Sequence, residues 1–450
     1  MDIVGLIGRG VFFFAFLFFF LMSVYSLYEK EYRAWTRSTL LMVAAGGIYF
    51  ILEVLLPNLS QFIFCGLLAA TLLFVSIIII SPKPRKELAI DEKRSQIDER
   101  DIIFARFDLT PGSSLYSSYY SERPERKLLD DQIRDLPDLF AQSHIDRDPV
   151  LQSLAEAEFS FLEHQMSIVD GKVKDQNWLE SKEYSTTMVK SVLKYLGAEQ
   201  AGICHLELED IYSHVGRGPE TYGSPISNKH PFAVAFTVEM DYSMMQYAPK
   251  AKVLVETAKQ YVDAARISII LADFLRRIGF SARAHIAGSN YQAMLVPVAR
   301  KAGLGELGRI GMLMTPQYGP RVRLGLVTTD FPLISDRPVV FGALDFCERC
   351  KKCAVNCPAQ AIPHGDRICD NGVEKWVIDR EACYRYWRKV GTDCARCVYV
   401  CPYSKPDNIF HNFIRAVSKQ SSFAQGILKW GDDLFYGKKP HIRKNHTNKL

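Results

Sequence analysis

Three long apolar stretches separated by short polar segments occupy the first 80 residues of the chain. They run over about residues 5–27, 39–56 and 62–80, and few charged residues interrupt them. A helix that crosses a bilayer needs about 20 mostly apolar residues, so each stretch predicts a membrane-spanning helix. A cleavable signal peptide is the alternative for the first stretch, but its apolar run is too long and no small-residue cleavage site follows it. The pattern therefore predicts a three-helix membrane anchor over residues 1–81.

Positive charges between these stretches predict the orientation of the anchor, because Lys and Arg are retained on the cytoplasmic side. The loop after the first stretch contains Lys30, Arg33 and Arg37, whereas the loop after the second contains no basic residue. The basic residues after the third stretch are Lys83, Arg85, Lys86, Lys93 and Arg94. We therefore expect a multi-pass protein of the cell inner membrane, with its N-terminus outside and its catalytic part on the cytoplasmic face.

The apolar pattern after the anchor is that of a polar linker followed by a mixed α/β domain. Residues 82–150 are polar, with turn signals from Pro, Gly, Ser and Tyr, and predict a linker and wrapping arm. Residues 151–167 and 252–278 have apolar side chains at helical spacing, the second segment ending before Gly279. Short apolar runs typical of strands occupy residues 233–240, 292–299 and 323–329. We therefore expect an α/β domain over residues 151–335.

Composition adds little to this picture. The 450 residues are 48% hydrophobic, which is enough for several packed units. The formal net charge of +5 is too small for a chain of this length to indicate binding to nucleic acid.

The spacing of the cysteines predicts iron–sulfur chemistry. The first run, C-x2-C-x2-C-x3-C followed by Pro358, consists of Cys347, Cys350, Cys353 and Cys357. The second run, C-x10-C-x2-C-x3-C followed by Pro402, consists of Cys383, Cys394, Cys397 and Cys401. In bacterial ferredoxins the fourth cysteine of such a run ligates the other 4Fe-4S cluster. We therefore expect Cys401 to complete the first cluster and Cys357 to belong to the second, in a ferredoxin-like domain over residues 336–410.

Zinc and disulfides are the alternatives for these cysteines. Zinc sites favour two separated Cys pairs, and disulfides are unexpected in a cytoplasmic domain. Two adjacent clusters transfer single electrons but have no substrate chemistry of their own. The remaining segment, residues 411–450, is expected to be a C-terminal extension.

A glycine-rich segment lies between the α/β domain and the cysteines. Gly303, Gly305 and Gly308 match G-x-G-x-x-G, but the strand, tight turn and helix of a dinucleotide site are not predicted around them. We expect these glycines, with Gly311, to let the backbone lie close to a large flat ligand instead.

Several segments, in their order and spacing, resemble the respiratory reductive dehalogenases. They are DERDIIFARFDL (98–109), EMDY (239–242), VARKAGLGELGRIG (298–311), the two Cys runs, and KWVIDREACYRYWRKVGTDCARCVYVCPYSKP (375–406). The resemblance extends from about residue 90 to about residue 440. It implies a nitroreductase-like α/β domain that holds a base-off corrinoid (cobalamin) and is reduced through two 4Fe-4S clusters. The sequence contains no D-x-H-x-x-G run, which is the usual source of a histidine ligand below cobalt. This agrees with a corrinoid that has no protein ligand below cobalt.

The chain also departs from this family. Its members are commonly exported by a twin-arginine signal and held by a separate small protein with three membrane helices, whereas here three such helices are fused to the enzyme. The fusion leaves the location, the electron donor and the substrate open.

The resemblance implies a tyrosine as proton donor above cobalt with a cation nearby, and Tyr242 with Arg300 or Lys301 matches that arrangement. A phenol, with an ordinary pKa of about 10, can protonate a carbanion, and a cation stabilises the phenolate. A strand-end tyrosine in water and plain surface charges are the alternatives. Aromatic residues that could form the walls of a substrate pocket are Tyr247, Tyr291, Trp376 and Trp387.

The sequence therefore predicts a membrane-tethered, corrinoid-dependent oxidoreductase that dehalogenates a small organohalide with electrons from an unidentified low-potential donor. Its other expected partner is membrane lipid. An enzyme similar to epoxyqueuosine reductase and a non-catalytic membrane electron carrier are the alternatives.

Overall fold

The computed structural model describes residues 3–84, 86–91, 94–141, 144, 148–176, 178–287, 291–439 and 441–443. The chain forms two compact units. Unit 1 contains Met1–Lys86 and Lys405–His441, and unit 2 contains Glu87–Ser404 and Ile442–Leu450. The predicted loop charges Arg85 and Lys93, and the stretch 444–450 of the C-terminal extension, lie outside the described residues.

Unit 1 begins with three long apolar helices. They are α1 (Ile3–Tyr28), α2 (Tyr32–Phe50), which continues as a π-helical turn over Ile51–Leu55, and α3 (Pro57–Ile80). The segments Arg9–Tyr28, Tyr32–Leu55 and Phe62–Ile80 are long and apolar enough to cross a membrane. The three predicted helices are confirmed, although the second begins earlier than expected because its polar first turns are helical too.

An ion pair joins the first of these helices to the end of the second. Nε of Arg9 lies 2.8 Å from Oε1 of Glu53, and a second nitrogen of the same guanidinium lies 3.2 Å from Oε2. Charged side chains in membrane segments usually pair in this way, because an isolated charge there is costly.

Unit 2 begins with a series of helices, the first three of which lie in the segment predicted as a linker. They are α4 (Ile103–Phe107), α5 (Ser114–Glu122), α6 (Pro124–Arg134), α7 (Pro149–His164) and α8 (Lys182–Tyr195). Local signals start several of them: Ser113 and Asp148 accept backbone hydrogen bonds as N-caps of α5 and α7, and Pro124 is at the start of α6. Helix α7 confirms the helix predicted over residues 151–167.

The rest of unit 2 combines strands and helices. The strands are β1 (Gln200–His205), β2 (Phe232–Glu239), β3 (Ala282–His285), β4 (Glu306–Leu307), β5 (Leu313–Met314), β6 (Val322–Thr329), β7 (Ile368–Asp370) and β8 (Val373–Lys375). The helices are α9 (Tyr242–Met245), α10 (Ala251–Arg277), α11 (Leu295–Lys301), α12 (Ala343–Cys350), α13 (Lys352–Val355), α14 (Arg380–Val390) and α15 (Arg396–Tyr399). The predictions for β2, β6 and α10 are confirmed.

A four-stranded antiparallel sheet of order β1-β2-β6-β3 forms the centre of unit 2. Val234 and Phe236 of β2 pack into a core with α10, and the intervening Ala235 packs into a second core on the other face. Gly325 of β6 makes room for the Phe236 ring, since a Cβ at that position would lie 2.1 Å from it. The sheet is therefore buried on both faces.

The strand predicted over residues 292–299 is wrong, because Leu295–Lys301 forms helix α11. A short apolar run has no periodicity that separates a strand from a buried helix. Pro297 is tolerated because it lies in the first helical turn, where the backbone N–H has no intrahelical acceptor.

The chain returns to unit 1 after the second cysteine run, as helices α16 (Ile409–Gln420) and α17 (Ser422–Phe435). His411 of α16 lies 3.0 Å from Oε1 of Glu29, at the end of α1. The Nδ2 of Asn408 donates to the same carboxylate oxygen at 2.8 Å. Much of the predicted C-terminal extension thus packs with the anchor helices.

Candidate functional site

The two cysteine runs share local backbone geometry as well as spacing. In the first run Cys350 ends α12, Lys351 has a φ of 52°, and Cys353 lies on α13. In the second run Ala395, with a φ of 44°, separates Cys394 from α15. A positive φ is uncommon for a residue other than glycine. The same backbone kink therefore lies between Cys350 and Cys353 in the first run and between Cys394 and Cys397 in the second.

The structure brings the eight cysteines together in two groups. The first thiol group consists of Cys347, Cys350, Cys353 and Cys401. The second thiol group consists of Cys357, Cys383, Cys394 and Cys397. Cys401 interacts electrostatically with the other three members of the first group, and Cys397 with the other three of the second and with Cys353. The groups are thus adjacent, and each takes its fourth cysteine from the other run.

These thiols lie in surroundings that disfavour an isolated negative charge. Burial raises the pKa of Cys347 and Cys383 to about 11, and that of Cys353 and Cys394 to about 12. Neighbouring cysteines contribute to the raised pKa of Cys353, Cys383 and Cys394. A coordinating iron supplies the positive charge that keeps such thiols deprotonated. No three His, Cys, Asp or Glu side chains in the described part of the chain converge on one ion. Each cysteine of a 4Fe-4S cluster binds a different iron, so cluster ligands need not converge on one point.

A buried cation adjoins the first thiol group. Nε of Arg309 donates to the carbonyl of Cys347 at 3.0 Å, and its Nη1 donates to the carbonyls of Pro363 at 2.7 Å and Gly365 at 2.9 Å. The guanidinium lies 4.4 Å from the centre of the Trp376 ring. Arg309 therefore connects the backbone of Cys347 to this tryptophan.

Trp376 is also part of the wall of a cavity of about 540 Å³ within unit 2. The segment before α4 and α4 itself contribute Ile97 and Phe104, and the segment between β8 and α14 contributes Ile378. The strands and helices around the sheet supply the remaining wall, which is mostly apolar. The volume lies within the range of small-molecule sites, about 300–1,000 Å³.

A tyrosine and an arginine face this cavity together. The guanidinium of Arg323 lies 5.0 Å from the centre of the Tyr261 ring, and both residues line the cavity. Arg323 also donates to the Thr257 hydroxyl at 2.9 Å and lies 3.6 Å from a carboxylate oxygen of Asp393. The Thr257 hydroxyl donates to Asp393 at 2.5 Å. Since Asp393 directly precedes Cys394, these contacts link the cavity to the second thiol group.

Two further tyrosines line the cavity beside a buried glutamate. Burial raises the pKa of Tyr212 to about 12 and that of Tyr291 above its ordinary value. Glu99 accepts hydrogen bonds from the backbone N–H of Gly216 at 2.9 Å and of Tyr291 at 3.3 Å. Both phenols therefore keep their protons at neutral pH.

The structure does not bring the three predicted catalytic residues together. Tyr242 is buried outside the described cavity lining, in the core that includes Cys357, and its ring centre is 6.2 Å from that of Tyr399. Arg300 lines the cavity. Lys301 forms an ion pair of 2.6 Å with Asp210. Of the predicted pocket walls, Tyr291 and Trp376 line the cavity and Tyr247 and Trp387 do not.

The glycines predicted to contact a ligand have other neighbours, except one. A Cβ at Gly303 would lie 2.5 Å from the carbonyl oxygen of Arg337, and one at Gly305 would lie 2.1 Å from that of Met314. A Cβ at Gly308 would meet the side chain of the same methionine. Close packing within the chain therefore explains these glycines, whereas Gly311 lines the cavity with a φ of 69°.

Two adjoining groups of four thiols, beside an α/β unit with an apolar cavity, are the arrangement expected of an iron–sulfur dicluster protein that also binds a small molecule. Residues 346–405 match the 4Fe-4S dicluster domain family. The chain is 32% identical over 308 residues to the tetrachloroethene reductive dehalogenase of Dehalobacter restrictus, which covers 58% of this chain and 55% of that protein. It is 35% identical over 300 residues to the enzyme of the same name from Sulfurospirillum multivorans, covering 59% of each.

The solved structures agree with these relatives. A reductive dehalogenase structure that suggests a mechanism for B12-dependent dehalogenation matches with a TM-score of 0.65 and 26% identity, over 81% of this chain and 49% of that one. The chain is thus similar to reductive dehalogenases both in sequence and in fold. It spans little more than half the length of the curated relatives it matches.

Proposed function

We propose that the protein is a membrane-tethered reductive dehalogenase that replaces the halogen of a small organohalide by hydrogen. The reaction consumes two electrons and one proton and releases a halide ion. The first and second thiol groups each hold one 4Fe-4S cluster, which passes single electrons from a low-potential donor. The observation that carries the proposal is the shared wall of the cavity, in which Arg323 and Trp376 reach toward the two thiol groups.

We propose that this cavity forms part of the site of a corrinoid, held in a nitroreductase-like α/β domain. Its wall is mostly apolar, and the backbone of Gly311 forms part of it. Its described lining contains no histidine, so we propose that this chain supplies no imidazole ligand to cobalt there. When bound, a corrinoid would supply the redox-active cobalt through which the electrons reach the carbon–halogen bond.

The chain's own contribution is a positioned proton and a fixed positive charge. We propose that the hydroxyl of Tyr261 donates the proton, and that Arg323 stabilises the phenolate that remains. Asp393 and Thr257 hold Arg323 in place. Tyr242, the candidate from the sequence, is the alternative donor.

Variants of these two tyrosines form a matched pair, since each loses one hydroxyl from a ring that packs against a hydrophobic core. Tyr261→Phe should lower turnover by about 100-fold or more, the range for a lost general acid, while cobalt and iron contents stay normal. Tyr242→Phe should retain turnover. The opposite result would identify Tyr242 as the proton donor. Normal turnover in both variants would show that neither tyrosine donates the proton.

Cobalt content tests the class of protein before any substrate is known. The purified protein should contain corrinoid absorbance and about eight iron atoms per chain from two 4Fe-4S clusters. Iron without corrinoid would favour the non-catalytic electron carrier.

The proposed orientation has an outside N-terminus and a cytoplasmic unit 2. Its support is the alternation of basic loops, with Lys30 and Arg33 after the first span and Lys83 and Lys86 after the third. A reporter that is active only after export, fused behind Leu450, should be inactive. An active reporter would reverse the assignment.

A further inference from the structure

Helices α16 and α17 have apolar side chains on two opposite faces. Phe410 and Phe435 are buried against the anchor helices of unit 1. The outer faces leave Ile409 79%, Phe413 57%, Phe423 42% and Trp430 64% exposed. A soluble helix normally has a polar outer face, so this second apolar surface indicates contact with a further apolar partner.

Ring contacts show how far the two helices reach along the membrane spans. The Phe410 ring lies 5.2 Å from Phe18 and 6.4 Å from Tyr25 of α1, and the Phe423 ring lies 6.3 Å from Phe74 of α3. At 1.5 Å per residue, Phe18 lies about 15 Å before the end of α1, and Phe74 about 9 Å before the end of α3. These contacts lie well inside the segments that are apolar enough to cross a membrane.

The two ends of α17 contact the chain where membrane-spanning helices leave the bilayer, one just after α3 and the other near the start of α2. The backbone N–H of Ser422 donates to the carbonyl of Pro82, just after α3, at 3.1 Å. Arg37, near the start of α2, donates to the carbonyl of Leu434. Half of a hydrocarbon core is about 15 Å thick. The rings of Phe410 and Phe423 therefore reach into one leaflet from helices whose ends lie at its surface.

We propose that α16 and α17 form a helical hairpin that lies along the surface of one leaflet of the bilayer, beside the three spans, with Ile409, Phe413, Phe423 and Trp430 in contact with lipid acyl chains. The outer faces continue the exposed apolar surface of the spans, which favours lipid over a second copy of the chain or a soluble partner. Lys438 and Lys439 directly after α17 are basic residues of the kind that reach the headgroups.

Fluorescence quenching of the full chain in phospholipid vesicles tests the proposal. The signal of Trp430 is the difference between the parent protein and Trp430→Phe. It should be strongly quenched when the acyl chains are brominated, relative to unbrominated vesicles, and only weakly quenched by aqueous acrylamide. Trp178, a half-exposed residue of unit 2, is the matched control, and the signal lost in Trp178→Phe should show the opposite pattern.

A second position keeps the test independent of Trp430. Phe413→Trp on α16 should add emission that brominated lipid quenches, whereas Phe161→Trp on the exposed face of α7 should add emission that acrylamide quenches. If acrylamide but not lipid quenches both Trp430 and the emission added by Phe413→Trp, the hairpin lies in water and the proposal is overturned. Protection from both quenchers would also overturn it, because a protein partner would then cover the face.

Discussion

Replacing Arg309 by glutamine should lower the reduction potential of the cluster that we assign to the first thiol group. Arg309 is almost fully buried, and Cys353, Cys347 and Cys350 are among the groups that interact with its charge. Reduction adds a negative charge to a cluster, so a fixed positive charge beside it favours the reduced state. Removal of that charge therefore makes reduction harder.

The size of the change in reduction potential depends on the burial of the guanidinium, because burial weakens the screening of its charge. For a unit charge at an illustrative separation of about 7 Å and an effective dielectric constant of about 20, the interaction is about 2 kcal/mol, on the order of 100 mV for one electron. The variant also loses donors to the carbonyls of Cys347, Pro363 and Gly365, and each buried acceptor left unsatisfied costs about 1–3 kcal/mol. We therefore expect a lower thermal stability as well as a lower potential.

Redox titration followed by electron paramagnetic resonance separates the charge from the hydrogen bonds. Arg309→Lys keeps the charge but donates in a different geometry, so it should lose stability with little change in potential. In Arg309→Gln the potential of the first cluster should fall, while that of the second should move much less. The electrostatic reasoning fails if lysine and glutamine lower the potential equally, or if both clusters shift by the same amount.

Three further predictions concern other parts of unit 2. Gly325→Ala should lower the melting temperature, because its Cβ would overlap the Phe236 ring and overpacking costs about 1–3 kcal/mol, whereas Gly365→Ala, with open space around it, serves as the control in the same thermal scan. Burial raises the pKa of Glu158 to about 7, above its value in the unfolded chain, so the ionised carboxylate opposes folding as pH rises through that range. Glu158→Gln should therefore raise the melting temperature at pH 8 and leave it unchanged at pH 4, and equal effects at both pH values would contradict the assignment. Cys357→Ala should damage the cluster of the second thiol group although it stands in the first run, and loss of only the other cluster's resonance signal would refute the crossed assignment.

The elements that the sequence predicted correctly have local signals. The spans and α10 are long enough for their apolar periodicity to be unambiguous, and β2 and β6 are short apolar runs without proline. The cysteine runs are readable because the ligands of a cluster are held at short, fixed spacings along the chain. The run that became α11 had no such signal.

The polar part of the cavity could not be predicted, because its members are far apart in the sequence. Tyr261 lies within a long helix and Arg323 near the start of a strand, and packing of α10 on the sheet brings them together. Local sequence also did not reveal the direction of Tyr242. Asp241 caps α9, and the tyrosine that follows it packs beside Tyr399 in the core.

The division of the chain into units has a consequence for how it can be cut. Unit 2 is an insertion, since the polypeptide leaves unit 1 after Lys86 and re-enters it at Lys405. A single proteolytic nick near Lys86 leaves unit 2 covalently attached through its other end, so release of the iron–sulfur part requires two cuts. A chain shortened after Ser404 would lose helices that belong to the anchor rather than a dispensable tail.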